Sequence, residues 1–202
     1  ADERGIYSSA KSPTGGLGST GGLSGLFMLT SIVVPNLQAT RLRSNQETAA
    51  AVVHTIYSAQ ETFRSNAFRD EDGDGDGEFG LLSELLGKRR RGDRRAAAPR
   101  KLLSAPLRRM KNGDYVHAGY YFRVYLPAED GSPVGSHEKA LRIGLIDSDL
   151  SETMMVIVAW PVDEGTSGRQ AFYMSADGRL YVCEGGYSGR KAPAADLRCS
   201  QE

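Results

Sequence analysis

Apolar residues are spaced in two different ways along this chain, and the change of spacing divides it. Over residues 23–66, LSGLFMLTSIVVPNLQATRLRSNQETAAAVVHTIYSAQETFRSN, the pattern is helical. From 23 to 37 it is apolar nearly all round, through Leu26, Phe27, Met28, Leu29, Ile32, Val33, Val34 and Leu37, which predicts burial on every side. From 41 to 66 it turns amphipathic. Ala49, Val52, Val53, Ile56, Ala59, Gln60 and Phe63 recur at spacings of three and four, with Arg, Asn, Gln and Glu on the other face. One helix of this length would run roughly 65 Å, longer than a domain of this size is wide. Its first half therefore needs burial elsewhere, in a membrane or against other copies of the chain. Pro35 removes one backbone hydrogen bond inside the apolar half, so either a kink or a break between two helices is expected there. The periodicity resumes straight after Asn36, which favours a continuous, kinked helix.

From Tyr115 the period drops to two. YVHAGYYFRVYLP (115–127), ALRIGLID (140–147), TMMVIVAWPV (153–162), RQAFYMS (169–175) and GRLYVCE (178–184) read as strands rich in aromatic and β-branched residues. Ala176-Asp177-Gly178 is a tight-turn signal joining the last two. The expected fold is α+β, with a four- to five-stranded antiparallel sheet (115–184) wrapped on the amphipathic half of the helix. Trp160 is expected in its core, and LLSELLG (81–87) reads as a short helix closed by Gly87.

Three stretches stand outside these patterns. Residues 1–22 are rich in Gly, Ser and Thr, with isolated Ile6, Tyr7 and Leu17, and read as an extended arm that docks on a neighbour; a disordered tail is the competing reading. Residues 70–80, DEDGDGDGEFG, set Asp70, Asp72, Asp74 and Asp76 at alternating positions with glycine where the chain must bend. Hard oxygen ligands in that arrangement suit Ca²⁺; a solvated acidic loop is the competing reading. The twelfth position of either calcium-loop register is Leu81 or Ser83, where a bidentate Glu belongs, so Glu78 or Glu84 would have to substitute. Residues 88–114 form a basic insertion with eleven Arg or Lys. It reads as a solvated loop, a lateral contact with acidic loops on neighbouring copies, or a polyanion patch.

Composition adds little chemistry. The 202 residues carry 25 basic and 25 acidic side chains, and this neutral balance suits a protein that packs against copies of itself. It argues against nucleic acid as the main partner. The three histidines, His54, His117 and His137, have no Cys, His or Glu at metal spacing, and no nucleophile elbow, P-loop or dinucleotide fingerprint occurs. An enzyme is not expected. The opening ADERGIYSSA reads as a processed N-terminus.

SIVVPNLQATRLRSNQETAAAVVHTIYSAQETFRS (31–65) resembles the N-terminal helix of type IV pilins and type II secretion pseudopilins. Those families share an apolar run ending in Ile-Pro-Asn-Leu (here Val34-Pro35-Asn36-Leu37), a basic patch (here Arg41 and Arg43), and a polar-Ala segment leading into Ser-Ala-Gln-Glu-Thr-Phe. DEDGDGDGEFGLLSELLG, GYYFRVYL and AWPVDEGTSGRQAFYMSADGRLYVCEGG are similar to the globular half of such proteins. The resemblance implies a structural subunit of an extracellular, cell-surface filament, polymerising with itself through Leu26, Phe27, Leu29, Ile32, Val33, Val34 and Leu37. It implies the pilus assembly or secretion machinery as partner and the membrane only transiently before assembly. The alternatives are a minor pseudopilin of a secretion machine and a monomeric surface module that binds polyanions.

The N-terminus departs from that family. Pilins begin with Phe and carry Glu at the fifth residue, whereas here six glycines fall within 14–30 and no Glu occurs between Arg4 and Glu47. Glycine costs a helix about 1 kcal/mol relative to alanine, so residues 1–22 are not expected to form a stable helix; glycine allows extended backbone and close approach, and the arm is expected to leave its own subunit and dock on neighbours. In an exported protein, Cys183 and Cys199 form one disulfide or remain free thiols, and the family often closes its C-terminal loop by such a bridge.

Overall fold

The computed structural model describes residues 22–88, 101–135, 145–185, 187 and 199–201, with the backbone alone for 22–36, 199 and 201. The chain divides into two compact units, Ala1–Leu37 and Gln38–Glu202. Helix α1, Gly22–Ser65, is assigned without a break across Pro35 and contributes to both. Gly22 is thus helical rather than the last residue of the arm. Residues 1–21, and the side chains of Leu26, Phe27, Leu29, Ile32, Val33 and Val34, lie outside the described residues. Leu37 is exposed.

Within the second unit the amphipathic pattern does what its spacing predicts. Ala49, Val52, Val53, Ile56, Ala59 and Phe63 are buried in one core with Tyr120, Phe122, Val124, Ile157, Phe172 and Met174 of the sheet. Gln60, the polar residue on that stripe, is fully buried and exchanges two hydrogen bonds with the Gly80 backbone, at 2.6 and 2.9 Å. Its amide is therefore satisfied where an unpaired one would cost about 1–3 kcal/mol. Short helix α2, Leu82–Leu85, opens with the Glu84 carboxylate accepting from the Leu81 N–H at 2.6 Å. It ends before Gly87, whose φ of 79° suits glycine.

Among the described residues the sheet has eight strands rather than four or five: β1 (Arg108–Arg109), β2 (Tyr115–His117), β3 (Tyr120–Pro127), β4 (Pro133–Gly135), β5 (Val156–Pro161), β6 (Gln170–Ser175), β7 (Leu180–Glu184) and β8 (Cys199–Gln201). Their order is β1-β2-β3-β5-β6-β7-β8, with β4 also pairing β3, and every pairing is antiparallel. The expected single strand 115–127 is a hairpin. Ala118 (φ 45°) and Gly119 (φ 76°) both take the left-handed conformation that a two-residue turn requires. Of the expected strand 140–147, residues 140–144 lie outside the described residues, and 145–147 form a bend into helix α3, Ser148–Thr153. That helix was not expected. Asp147 caps it, its side chain accepting from the Leu150 N–H at 2.8 Å.

Alternation along the strands builds a second face. Tyr121, Arg123, Tyr125, Val156, Val158, Trp160, Ala171, Tyr173 and Cys183 point away from the helix-side core and share a smaller cluster with Tyr187. Trp160 is buried here, its ring edge-on to Tyr187 at 6.1 Å and tilted against Tyr121 at 5.5 Å. Arg123 is buried beside it, donating to Asp114 at 2.6 Å and to the Tyr125 hydroxyl at 2.9 Å. Cys183 is disulfide-bonded, and the β7–β8 register sets it directly opposite Cys199, the other cysteine of the chain.

The basic insertion is split by the description. Residues 89–100 lie outside it. Leu103 is fully buried, and the N–H groups of Leu102 and Leu103 donate to the Leu85 carbonyl, so this end is part of the core rather than a solvated loop.

Candidate functional site

The acidic loop leaves α1 through a fixed base. The Ala67 and Phe68 N–H groups donate to the carbonyls of Arg64 and Phe63, and the Glu78 N–H donates to the Arg69 carbonyl at 3.1 Å, closing the loop between Arg69 and Glu78. Gly77 must be glycine, because a Cβ there would lie 1.9 Å from the Arg64 carbonyl oxygen. Inside the loop three of the four aspartates turn the chain with their own side chains. Asp70 accepts from the Gly73 N–H at 2.7 Å, Asp72 from Asp74 at 3.2 Å, and Asp74 from Asp76 at 2.8 Å.

Glu78 does not join these carboxylates. It is buried under the loop, paired to Arg69 at 2.7 Å, accepting from the Glu71 N–H at 2.7 Å and from the Ser151 hydroxyl at 3.3 Å. Burial raises its carboxyl above the usual range, while the Arg69 charge opposes that rise. Glu84 is committed to the cap of α2. Neither residue stands where the missing twelfth ligand belongs.

Two residues that the sequence reading left out come close to the aspartates instead. Helix α3 packs beside the loop, with the Phe79 N–H donating to the Ser151 carbonyl at 2.8 Å and Arg64 donating to the Glu152 carbonyl at 2.9 Å. This brings Asp149 and Glu152 over the aspartates. Three overlapping groups result, each with its ligand oxygens within 4.8 Å of one another: Asp70, Asp72 and Asp74; Asp72, Asp149 and Glu152; Asp74, Asp76 and Glu152. The proximity is felt electrostatically. A hydrogen bond with Asp72, followed by partial desolvation and the charges of Asp147, Asp72 and Asp74, raises the Asp149 carboxyl. Desolvation and then Asp74, Asp76, Asp72 and Asp149 raise Glu152. Asp72 is lowered, chiefly by the Asp74 backbone N–H.

The three groups together draw on six carboxylates, all hard oxygen, from the loop and from the helix docked on it. That chemistry fits a calcium ion, which takes six to eight oxygens in flexible geometry, better than it fits a soft metal wanting sulfur or imidazole. Exposed acidic groups also occur without a metal. The link to Asp149 and Glu152 had no local signal, because neither sits in a calcium-loop spacing. Only the docking of α3 creates it.

No helix among the described residues is long and apolar enough to cross a membrane. Comparisons with known protein families, curated proteins and solved structures return no match for this chain.

Proposed function

We propose that this chain is a structural subunit of an extracellular, pilin-like filament that polymerises through the apolar part of α1. The observation that carries the reading is how α1 is divided. One unbroken helix runs from Gly22 to Ser65, yet the described core of the sheet domain draws on it only from Ala49 onward. Its apolar sequence, Leu26 to Leu37, belongs to a separate compact unit. Apolar side chains on all sides of a helix are stabilised only when something else covers them, and identical helices from neighbouring copies supply that cover. Pro35 would let each helix bend as it packs. A disulfide in the sheet domain is in keeping with an oxidising, extracellular setting. Calcium held by Asp70, Asp72, Asp74, Asp76, Asp149 and Glu152 would pin the loop to α3 on the domain surface.

Negative-stain imaging of the purified protein tests the reading, with filaments expected. Replacing Phe27 and Ile32 together by Asp should abolish them while leaving the sheet domain folded, since a buried, unpaired charge costs several kcal/mol. Filaments of normal abundance from that variant would sink the proposal.

A further inference from the structure

The turn that joins β1 to β2 carries the only Asn-Gly pair of the chain, Asn112-Gly113; the other asparagines, Asn36, Asn45 and Asn66, precede Leu, Gln and Ala. Two backbone hydrogen bonds close this turn. The Met110 N–H donates to the Asp114 carbonyl at 2.7 Å, and the Gly113 N–H donates to the Met110 carbonyl at 3.1 Å. Asn112 is exposed, yet both ends of its amide are engaged. Its amide nitrogen donates to the Asp114 carboxylate at 2.7 Å, and its carbonyl oxygen accepts from the Asp114 N–H at 3.3 Å. Asp114 is buried and its carboxylate is shared: one oxygen accepts from Asn112, the other from Arg123 at 2.6 Å. The Arg123 guanidinium in turn lies over the Trp160 ring at 5.5 Å. One exposed amide therefore reaches the aromatic cluster of the far face through a single buried carboxylate.

An asparagine followed by glycine is open to loss of its amide, because no side chain on the next residue hinders ring closure. The Gly113 backbone nitrogen gives up its proton and bonds to Cγ of Asn112, ammonia leaves, and a succinimide remains. Water then opens one of the two ring carbonyls, leaving aspartate or isoaspartate at position 112. In the closed turn the Gly113 N–H is committed to Met110, so ring closure waits for the turn to open. That opening is local. Strand β1 is two exposed residues at the end of the sheet order, and such an element frays while the core stays folded. We propose that Asn112 is a deamidation site, reached by opening of this turn, whose conversion loosens the Asp114–Arg123 pair. The product sets a carboxylate where Asp114 accepted a hydrogen bond, and like charges at that distance repel. The change runs one way, so it records the time this turn has spent open.

The test ages the full-length protein in a mildly alkaline buffer without denaturant and maps deamidation by peptide mass spectrometry. Conversion is expected at Asn112 several-fold ahead of Asn36, Asn45 and Asn66. Trp160, the only tryptophan of the chain, reports the consequence. As conversion proceeds its emission should move to the red and its quenching by iodide should rise, and fresh Asn112→Asp protein should show both changes from the start. Asn112→Gln, which would have to close a larger ring, should age without either. Conversion at another asparagine first, or only in urea-unfolded protein, would overturn the proposal. So would converted protein, or fresh Asn112→Asp protein, whose Trp160 emission and quenching match the unaged wild type. An Asn112→Gln variant that drifts as the wild type does would overturn it too.

Discussion

The carboxylate of Glu152 lies within 4.8 Å of that of Asp74, although one belongs to a short helix between strands and the other to a loop after the long helix. That meeting turns an incomplete calcium loop into a candidate site supplied by two separate segments. Like charges at this spacing repel, so the arrangement is stabilised by a cation or by protons.

Calcium should therefore raise the melting temperature, and a chelator should lower it again, by mass-action linkage. In the variant Asp149→Asn, Glu152→Gln the calcium response should shrink strongly, whereas Glu78→Gln should leave most of it. Thermal melts with and without calcium check this, and a response unchanged in the double variant would remove α3 from the site.

The pH dependence has a definite sign. Asp149 and Glu152 are raised in the folded protein, so between their unfolded and folded values the native state binds more protons than the unfolded chain. Their contribution to stability therefore falls as pH rises through that window and is regained on acidification. Without calcium, wild type minus the Asp149→Asn, Glu152→Gln variant should show this slope. Asp72 contributes the opposite sign, and the subtraction cancels its direct share.

The bridge at Cys183 closes the C-terminal segment. In the chain-entropy account, a loop of about 15 residues contributes roughly 3 kcal/mol. Cys183→Ala should lower stability by about that amount in denaturant melts and leave the helix-side core folded. A free-thiol assay on unfolded, unreduced protein should find none; two free thiols per chain would contradict the bridge.

Arg123 and Asp114 form a buried ion pair on the far face of the sheet. Asp114→Ala leaves the guanidinium buried without its carboxylate and should cost about 3–5 kcal/mol. Replacing both, as Arg123→Met with Asp114→Leu, should recover much of that loss. Denaturant melts of the single and double variants decide it. A double variant as unstable as Asp114→Ala would show that the pair holds the face together by more than mutual neutralisation.

Local chemistry made much of this molecule legible from its residues alone. Helical spacing from Ala49 to Phe63 named the stripe that meets the sheet, because a helix sorts side chains onto faces every three or four residues whatever surrounds it. Strands around Tyr120, Ile157, Phe172 and Leu180 announced themselves by alternation, and the acidic loop by its aspartates set at alternating positions with glycine. The Ala118–Gly119 turn stayed hidden, since an alanine at positive φ has no composition signal and the period of two continues through it.

Other features depend on partners far along the chain. Strands β1, β4 and β8 are two or three residues long, too short to show a period, and exist because a neighbouring strand offers its hydrogen bonds. Glu78 looked like a ligand by its spacing, but Arg69 and Ser151 draw it inward, because a carboxylate is better satisfied by a buried cation than by a sixth neighbour of its own sign. Asp149 and Glu152 are candidate-site residues only because α3 docks on the loop through Phe79, Ser151 and Arg64. Sequence spacing determines which way a side chain points from its own element. Which charges then stand opposite one another is decided by how the elements pack, since Coulomb forces act through space and not along the chain.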